Sequence, residues 1–298
     1  MSNGYPGYDE GILEFIPNHV SIQDNERLGA IPKEKEIFES VMNLKANSAP
    51  GPDGFPGMFY RDSWDVVKKD LSEAIRDFFR GGSFPRVACA TTLVIIPKIR
   101  NPSSILHYRS VSMCNFPYKV MASIINSRIF IHLPRWVSME QDGFVKGHSI
   151  QGAIALAQEM MRDLNTKTHG SNIAIKHDMN KAFDWLEWSF INKVISGMGF
   201  SPWTNDLIFR CFSSSWLNVT FMGKSHGFFK ATRGLRQGDP LSPSLFILTQ
   251  DILSRLIHSG MNNGGILPFR RRMNLLPISH LILVDDTLIF LKANKRSV

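Results

Sequence analysis

Residues 279–291 read SHLILVDDTLIFL. Two adjacent aspartates, Asp285 and Asp286, stand between apolar runs at 281–284 and 288–291. Two short β-prone runs joined by a tight polar step predict a β-hairpin. One Asp at such a step is an ordinary turn residue, because its carboxylate bonds nearby backbone amides. Two are harder to accommodate. Like charges side by side repel, and burying them is costly unless a cation neutralises them. Mg²⁺ suits a hard carboxylate pair, since it binds through one or two carboxylates plus substrate phosphates. A site of that kind needs a third carboxylate, a phosphate clamp and a surface for polyanions.

Asp178 is the candidate third carboxylate. It ends a strand-like run, 171–179 (SNIAIKHDM). Carboxylates at the ends of different strands can hold two metal ions close together. The ordinary alternative is that Asp178 caps the helix after it. On that segment alone the cap is the simpler account; the Asp285–Asp286 pair shifts the balance to a metal site. Successive strand residues face opposite ways, so both paired aspartates can face one ion only if the backbone bends. Asp178 and Asp285 are therefore expected as principal ligands, with Asp286 assisting.

Lys98 and Arg109 flank the turn after a strand at 91–97 (TTLVIIP). A Lys point charge and an Arg fork could clamp a triphosphate; singly, each is also an ordinary solvated cation. Gln237-Gly238 lies where glycine permits close approach to a base or sugar, or simply makes a turn. Phe183 is either a core aromatic or a wall against a sugar hydroxyl.

The net charge of +8 over 298 residues fits polyanion binding but also a plain solvated surface. Cys89, Cys114 and Cys211 are far apart, which points to buried thiols rather than disulfides or a zinc cluster. The N-terminus lacks the basic and apolar regions of a signal peptide, and no apolar run is long enough to span a bilayer. An intracellular protein is expected, in cytoplasm or nucleus, with no membrane and no protein partner indicated.

Residues 1–30 mix Gly, Pro, Asn and charge, and are expected to be loosely ordered. Helices are predicted from Pro32 to about 44, over 64–78, 117–133 (halted by Pro134), 149–165, 187–198, from Ser201-Pro202, and up to about 258. The loop 48–57 holds three prolines and three glycines, so it is neither helix nor central strand. A hairpin is predicted over 216–231 around Gly223. Strands and helices interleave without strict alternation, which indicates α+β.

Five blocks carry a family resemblance: APGPDGFPGMFY (49–60), TLVIIPK with NPSSILHYR (92–109), DMNKAFDWLEW (178–188), RGLRQGDPLSP (233–243) and SHLILVDDTLIF (279–290). In this order, from about residue 31 onward, they resemble the reverse transcriptase domain of non-LTR (LINE-type) retrotransposons of the sort abundant in plant genomes. The resemblance implies a right-hand polymerase fold, with fingers over about 31–170, an antiparallel palm sheet packed on helices over about 171–298, and the thumb missing beyond a C-terminal truncation. It implies Asp178, Asp285 and Asp286 as the metal-binding catalytic triad, Lys98 and Arg109 as triphosphate contacts, Phe183 as the gate against a ribose 2′-hydroxyl, and Gln237 and Gly238 as part of the nucleotide pocket. Mg²⁺ (or Mn²⁺), an RNA template, a DNA primer or target and dNTPs follow from the same resemblance.

The chain departs from the family pattern at Ser48, Ser110-Val111, His148, Trp185, Asp251 and Leu283-Val284. Two readings follow: an RNA-directed DNA polymerase domain, or a truncated remnant that is catalytically weak or inactive and at most binds nucleic acid. An unrelated Mg²⁺ nuclease explains the aspartates but not the RQGDPLSP and APGPDGF blocks.

Overall fold

A computed structural model of the chain describes residues 10–164, 171–179, 181–221, 223–269 and 278–293. The helices are α1 (Ile22–Gly29), α2 (Glu34–Asn43), α3 (Gly57–Asp62), α4 (Trp64–Phe79), α5 (Phe116–Phe130), α6 (Leu133–Trp136), α7 (Ile150–Asp163), α8 (Ala182–Trp185), α9 (Trp188–Gly197), α10 (Pro202–Ser213) and α11 (Ser242–Asn262). The strands are β1 (Ala90–Pro97), β2 (Tyr108–Cys114), β3 (Asn172–Asp178), β4 (Trp216–Phe221), β5 (Lys224–Lys230), β6 (His280–Leu283) and β7 (Asp286–Lys292).

Helix α5 is the centre of the main core. Its sequence, FPYKVMASIINSRIF, is apolar on nearly every face, and such a helix is stable only when surrounded. Tyr118, Val120, Met121 and Ile129 on it are fully buried. Helices α1, α2, α10 and α11 pack around it. Each large apolar side chain so buried contributes roughly 1.5–3 kcal/mol.

Two sheets flank this helical core. The first has the order β2-β1-β4-β5, with β1 antiparallel to β2 but parallel to β4. The second is antiparallel, in the order β3-β7-β6. Residues 140–142 run beside β6: Ile282 N donates to Glu140 O (2.8 Å) and Asp142 N to Ile282 O (3.0 Å). Met160 of α7 packs with Phe269, Leu281 and Phe290 in a separate small core against this sheet. The largely antiparallel pairing agrees with the α+β expectation, and Cys89, Cys114 and Cys211 are buried free thiols.

Several expectations need correction. Within the segment expected to be loosely ordered, residues 10–15 form a 3₁₀ turn and 22–29 form α1; residues 1–9 lie outside the described ones. The reason is a capping box, in which Ser21 Oγ accepts from Asp24 N while Asp24 Oδ2 accepts from Ser21 N. Asn25 then ties α1 to Gly199 O and Ser201 N. Pro134 does not halt a helix reaching 133. Helix α5 stops at Phe130, and Pro134 lies in the first turn of α6, where its missing N–H costs nothing. Strand β2 was not expected, because its serines (YRSVSMC) dilute the apolar signal; it pairs with β1 from Thr91↔Cys114 to Pro97↔Tyr108. Of the predicted elements, Asn165 and Met222 lie outside the described residues.

Asp24 is 3% exposed and accepts from Arg135 at 2.5 Å. Burial disfavours its charge, but the Ser21 hydrogen bonds and the Arg135 and His132 charges outweigh that and lower its pKa. Asp24→Asn should cost on the order of 2 kcal/mol at pH 7 by urea denaturation. A carboxylate with a folded-state pKa below its unfolded one stabilises the fold above the carboxylate range and loses that contribution as pH falls through it. The stability difference between the two proteins should therefore shrink as pH falls through the folded-state pKa of Asp24.

Candidate active site

The paired aspartates sit where β6 turns into β7. Leu283 pairs with Asp286, leaving Val284 and Asp285 as a two-residue turn. Val284 has φ +61°, the positive value that tight hairpin turns require at their first position. For a β-branched residue this is a strained conformation. It is held from below by Gly143: a Cβ there would lie 2.7 Å from Val284 Cγ2 and 2.9 Å from Val284 N. Only glycine lets the 140–143 segment come this close to the turn.

The turn places the two neighbouring aspartates at one end of the β3–β7–β6 sheet, Asp285 in the turn and Asp286 at the start of β7. Asp286, the first residue of β7, lies directly opposite Asp178, the last residue of β3. Cross-strand partners share a face, so Asp286, expected only to assist, is the register partner of Asp178. Asp285 reaches the same sheet end from the turn, where its carbonyl accepts from Met179 N (3.3 Å). Asp178 is not a helix cap. Helix α8 begins at Ala182 with Lys181 before it and no side-chain cap.

Lys176, two residues before Asp178 on the same face, places Nζ 3.0 Å from Asp286 Oδ1. The Asp286 hydrogen bond and charge raise the Lys176 pKa, and the charges of Asp178 and Asp285 add to the effect. All three aspartates thus act on one cation. Among the described residues, the trio of ligand atoms lying within 4.8 Å of one another is a different one, Glu140, His258 and His280.

The other candidates gather around the 233–238 loop. Leu235 N donates to Phe183 O (2.8 Å), Gly234 N to Leu186 O (2.8 Å), and Ser112 N to Gln237 O (2.9 Å). The loop therefore joins β2 to the α8 region. Gly238 has φ +101°, and a Cβ on it would lie 3.1 Å from Ser112 O, so the position calls for glycine. The Phe183 ring stacks on Phe246 of α11, centroids 4.5 Å apart and planes 15° apart. A cavity of about 270 Å³ lies here, lined by Ser110, Ser112, Asp184, Trp188 and Gln237 among others. Burial raises the Asp184 pKa, and the Lys181 and Lys98 charges oppose the shift, so Lys98 acts electrostatically on this region. Lys98 N bonds His107 O across the β1–β2 connection (2.8 Å). Arg109 lies on β2 opposite Ile96 and is exposed. Neither is paired with the aspartates.

Sequence reasoning missed a buried polar cluster under the loop. Arg236 and Asp239 are 8% and 3% exposed and 2.9 Å apart. Tyr118 Oη donates to Asp239 Oδ2 at 2.6 Å, and the Arg236 guanidinium lies 4.0 Å above the Tyr118 ring. An Arg and an Asp three residues apart in a Gly/Pro-rich block were the available signal. Asn115 was also missed: its Oδ1 accepts from Asp53 N (3.1 Å) and its Nδ2 donates to Val87 O (2.7 Å), anchoring the 48–57 loop at the end of β2. Arg236→Met should cost about 3–5 kcal/mol, because Asp239 is left as an unpaired buried charge. Arg236→Met with Asp239→Leu should recover much of that loss in the same denaturation assay.

Comparison with known proteins adds an independent line. The chain is 25% identical over 229 residues to the transposon TX1 uncharacterized 149 kDa protein of Xenopus laevis, covering 77% of this chain and 17% of that one. It is 24% identical over 258 residues to the retrovirus-related Pol polyprotein from type-1 retrotransposable element R2 of Nasonia vitripennis, covering 87% of this chain and 24% of that one. A 65-residue stretch is 45% identical to the uncharacterized mitochondrial protein AtMg01250 of Arabidopsis thaliana, covering 22% of this chain and 53% of that one. The chain thus spans a quarter or less of the two transposon relatives' lengths. Residues 97–297 match the family described as reverse transcriptase (RNA-dependent DNA polymerase), and with two thirds of its length so matched, the chain belongs to that family.

Proposed function

We propose that this reverse transcriptase domain, of non-LTR retrotransposon type, adds dNTPs to a primer 3′-hydroxyl on an RNA template. The observation that carries this reading is the β3–β7 register, which sets Asp178 opposite Asp286 with Asp285 in the adjoining turn. The donor set fits the metal: three carboxylates offer the hard oxygens that Mg²⁺ takes, and Mn²⁺ accepts the same ligands. The Lys176 ammonium against Asp286 indicates that a positive charge is accommodated there. Asp178, Asp285 and Asp286 would hold the divalent ions, which would supply charge neutralisation at the attacking hydroxyl and the departing pyrophosphate.

In this reading the protein's own groups position the reactants. Lys98 and Arg109 bind the triphosphate from the β1–β2 connection, Lys98 as a point charge and Arg109 as a fork. Phe183, braced by Phe246, presents a ring edge to the sugar and excludes a 2′-hydroxyl. The bare backbone at Gly238, beside Gln237, lets the base and sugar approach the loop. The four-stranded sheet corresponds to fingers and the three-stranded sheet to palm, with β4 and β5 joining the fingers sheet from the later half of the chain. The net charge of +8 supplies salt-sensitive attraction to template and primer phosphates.

Primer extension on an RNA template with Mg²⁺ tests the proposal. Asp178→Ala and Asp285→Ala should each lower the rate by on the order of 10²–10³-fold or more. Extension unaffected by either substitution contradicts the assignment. Salt-sensitive RNA binding by the wild type with no extension favours the inactive-remnant reading instead. Phe183→Val should raise ribonucleotide incorporation relative to dNTP by at least about tenfold, read from single-nucleotide insertion rates.

A further inference from the structure

We propose that Glu140, His258 and His280 form a second metal site, separate from the aspartates, that takes a divalent ion of the zinc class. The three residues come from three elements. Glu140 lies on the segment beside β6, His258 is near the end of α11, and His280 opens β6. One ligand atom from each lies within 4.8 Å of the other two. His258 Nε2 and Glu140 Oε1 are 2.9 Å apart, and the two imidazole centroids are 5.3 Å apart. Zn–N bonds of 2.0–2.1 Å in a tetrahedron set ligand atoms roughly 3.3 Å apart, so a small closure of the rings suffices.

The donor set selects the metal. Two imidazoles and one carboxylate suit Zn²⁺, whereas Mg²⁺ prefers an all-oxygen shell. Three protein ligands leave a fourth position for water. The site is graded from inside to outside: His280 is fully buried, while the Glu140 and His258 side chains are 22% and 40% exposed. An ion can therefore enter from the solvent side and meet an anchored ligand.

His280 also has the support that ligating histidines need. Its Nδ1 lies 2.7 Å from Ser279 Oγ and its Nε2 lies 2.8 Å from Ser254 Oγ. An oxygen on the non-ligating nitrogen fixes the ring and its tautomer. Ser254 is one turn before His258 on α11, so Nε2 faces the helix that carries the second imidazole. Nε2 exchanges its Ser254 hydroxyl for the ion while Nδ1 keeps Ser279. An ion there joins α11 to β6 and to the segment whose Gly143 packs against Val284.

Calorimetric titration of the full chain with ZnCl₂, and the visible spectrum with CoCl₂, test the site. Circular dichroism verifies that each variant folds. His258→Ala and Glu140→Gln are the informative variants, because both side chains are partly exposed and His280→Ala risks the core. Wild type and Asp178→Asn should each bind one equivalent of Zn²⁺ at this site and give the intense absorption of tetrahedral Co²⁺. His258→Ala and Glu140→Gln should bind at least tenfold more weakly and lose that absorption. No Zn²⁺ binding by the wild type, unchanged affinity in His258→Ala, or equal loss in Asp178→Asn would each overturn the proposal.

Discussion

Crowding of negative charge at one end of a three-stranded sheet is the constraint on which the rest depends. The β3–β7 register brings Asp178 beside Asp286, and the β6–β7 turn adds Asp285. A one-residue slip would send Asp178 to the opposite face. Burial of Leu281 on β6 and Phe290 on β7 against Met160 and Phe269, with Ala174 of β3 packed on the same cluster, opposes that slip. The same residues that stabilise the sheet thus impose the electrostatic problem. Lys176 meets it in part, through an exposed ion pair of the kind that adds little to stability.

The surrounding fold holds this strained point rigid. Gly143 allows the backbone to press against Val284, and the main-chain bonds of residues 140–142 to Ile282 fix the segment that carries it. On the other side, the 233–238 loop is tied to β2 and to residues 183–186 by main-chain bonds and stands over the Arg236–Asp239–Tyr118 cluster. Nucleotide-facing candidates on that loop are therefore placed by backbone geometry and a buried charge pair. Helix α5, buried along most of its length, centres the main core, while the β3–β7–β6 sheet packs on its own small one.

The hairpin, Asp178 at a strand end, the Ser201-Pro202 helix start and the loop at 48–57 were legible because each rests on a local rule of periodicity or turn chemistry. Strand β2 and helix α1 were not. The β2 signal is diluted by serine, and α1 depends on a capping box spanning Ser21 to Asp24 followed by bonds to residues far along the chain. The relation between Asp285 and Asp286 was only half legible. Strict alternation says they diverge, and the positive φ at Val284 that lets both serve one sheet end depends on Gly143, remote in sequence. Arg236 and Asp239 look like surface charges until the core around them is known.

In the proposed assignment, residues distant in sequence make one ion site through the β3–β7 register. Titration of Mn²⁺ into the chain, followed by electron paramagnetic resonance, tests it directly when wild type is compared with Asp178→Asn and Asp286→Asn. Each substitution alone should weaken the same Mn²⁺ site at least tenfold with the fold intact. Unchanged Mn²⁺ affinity in Asp178→Asn would contradict it.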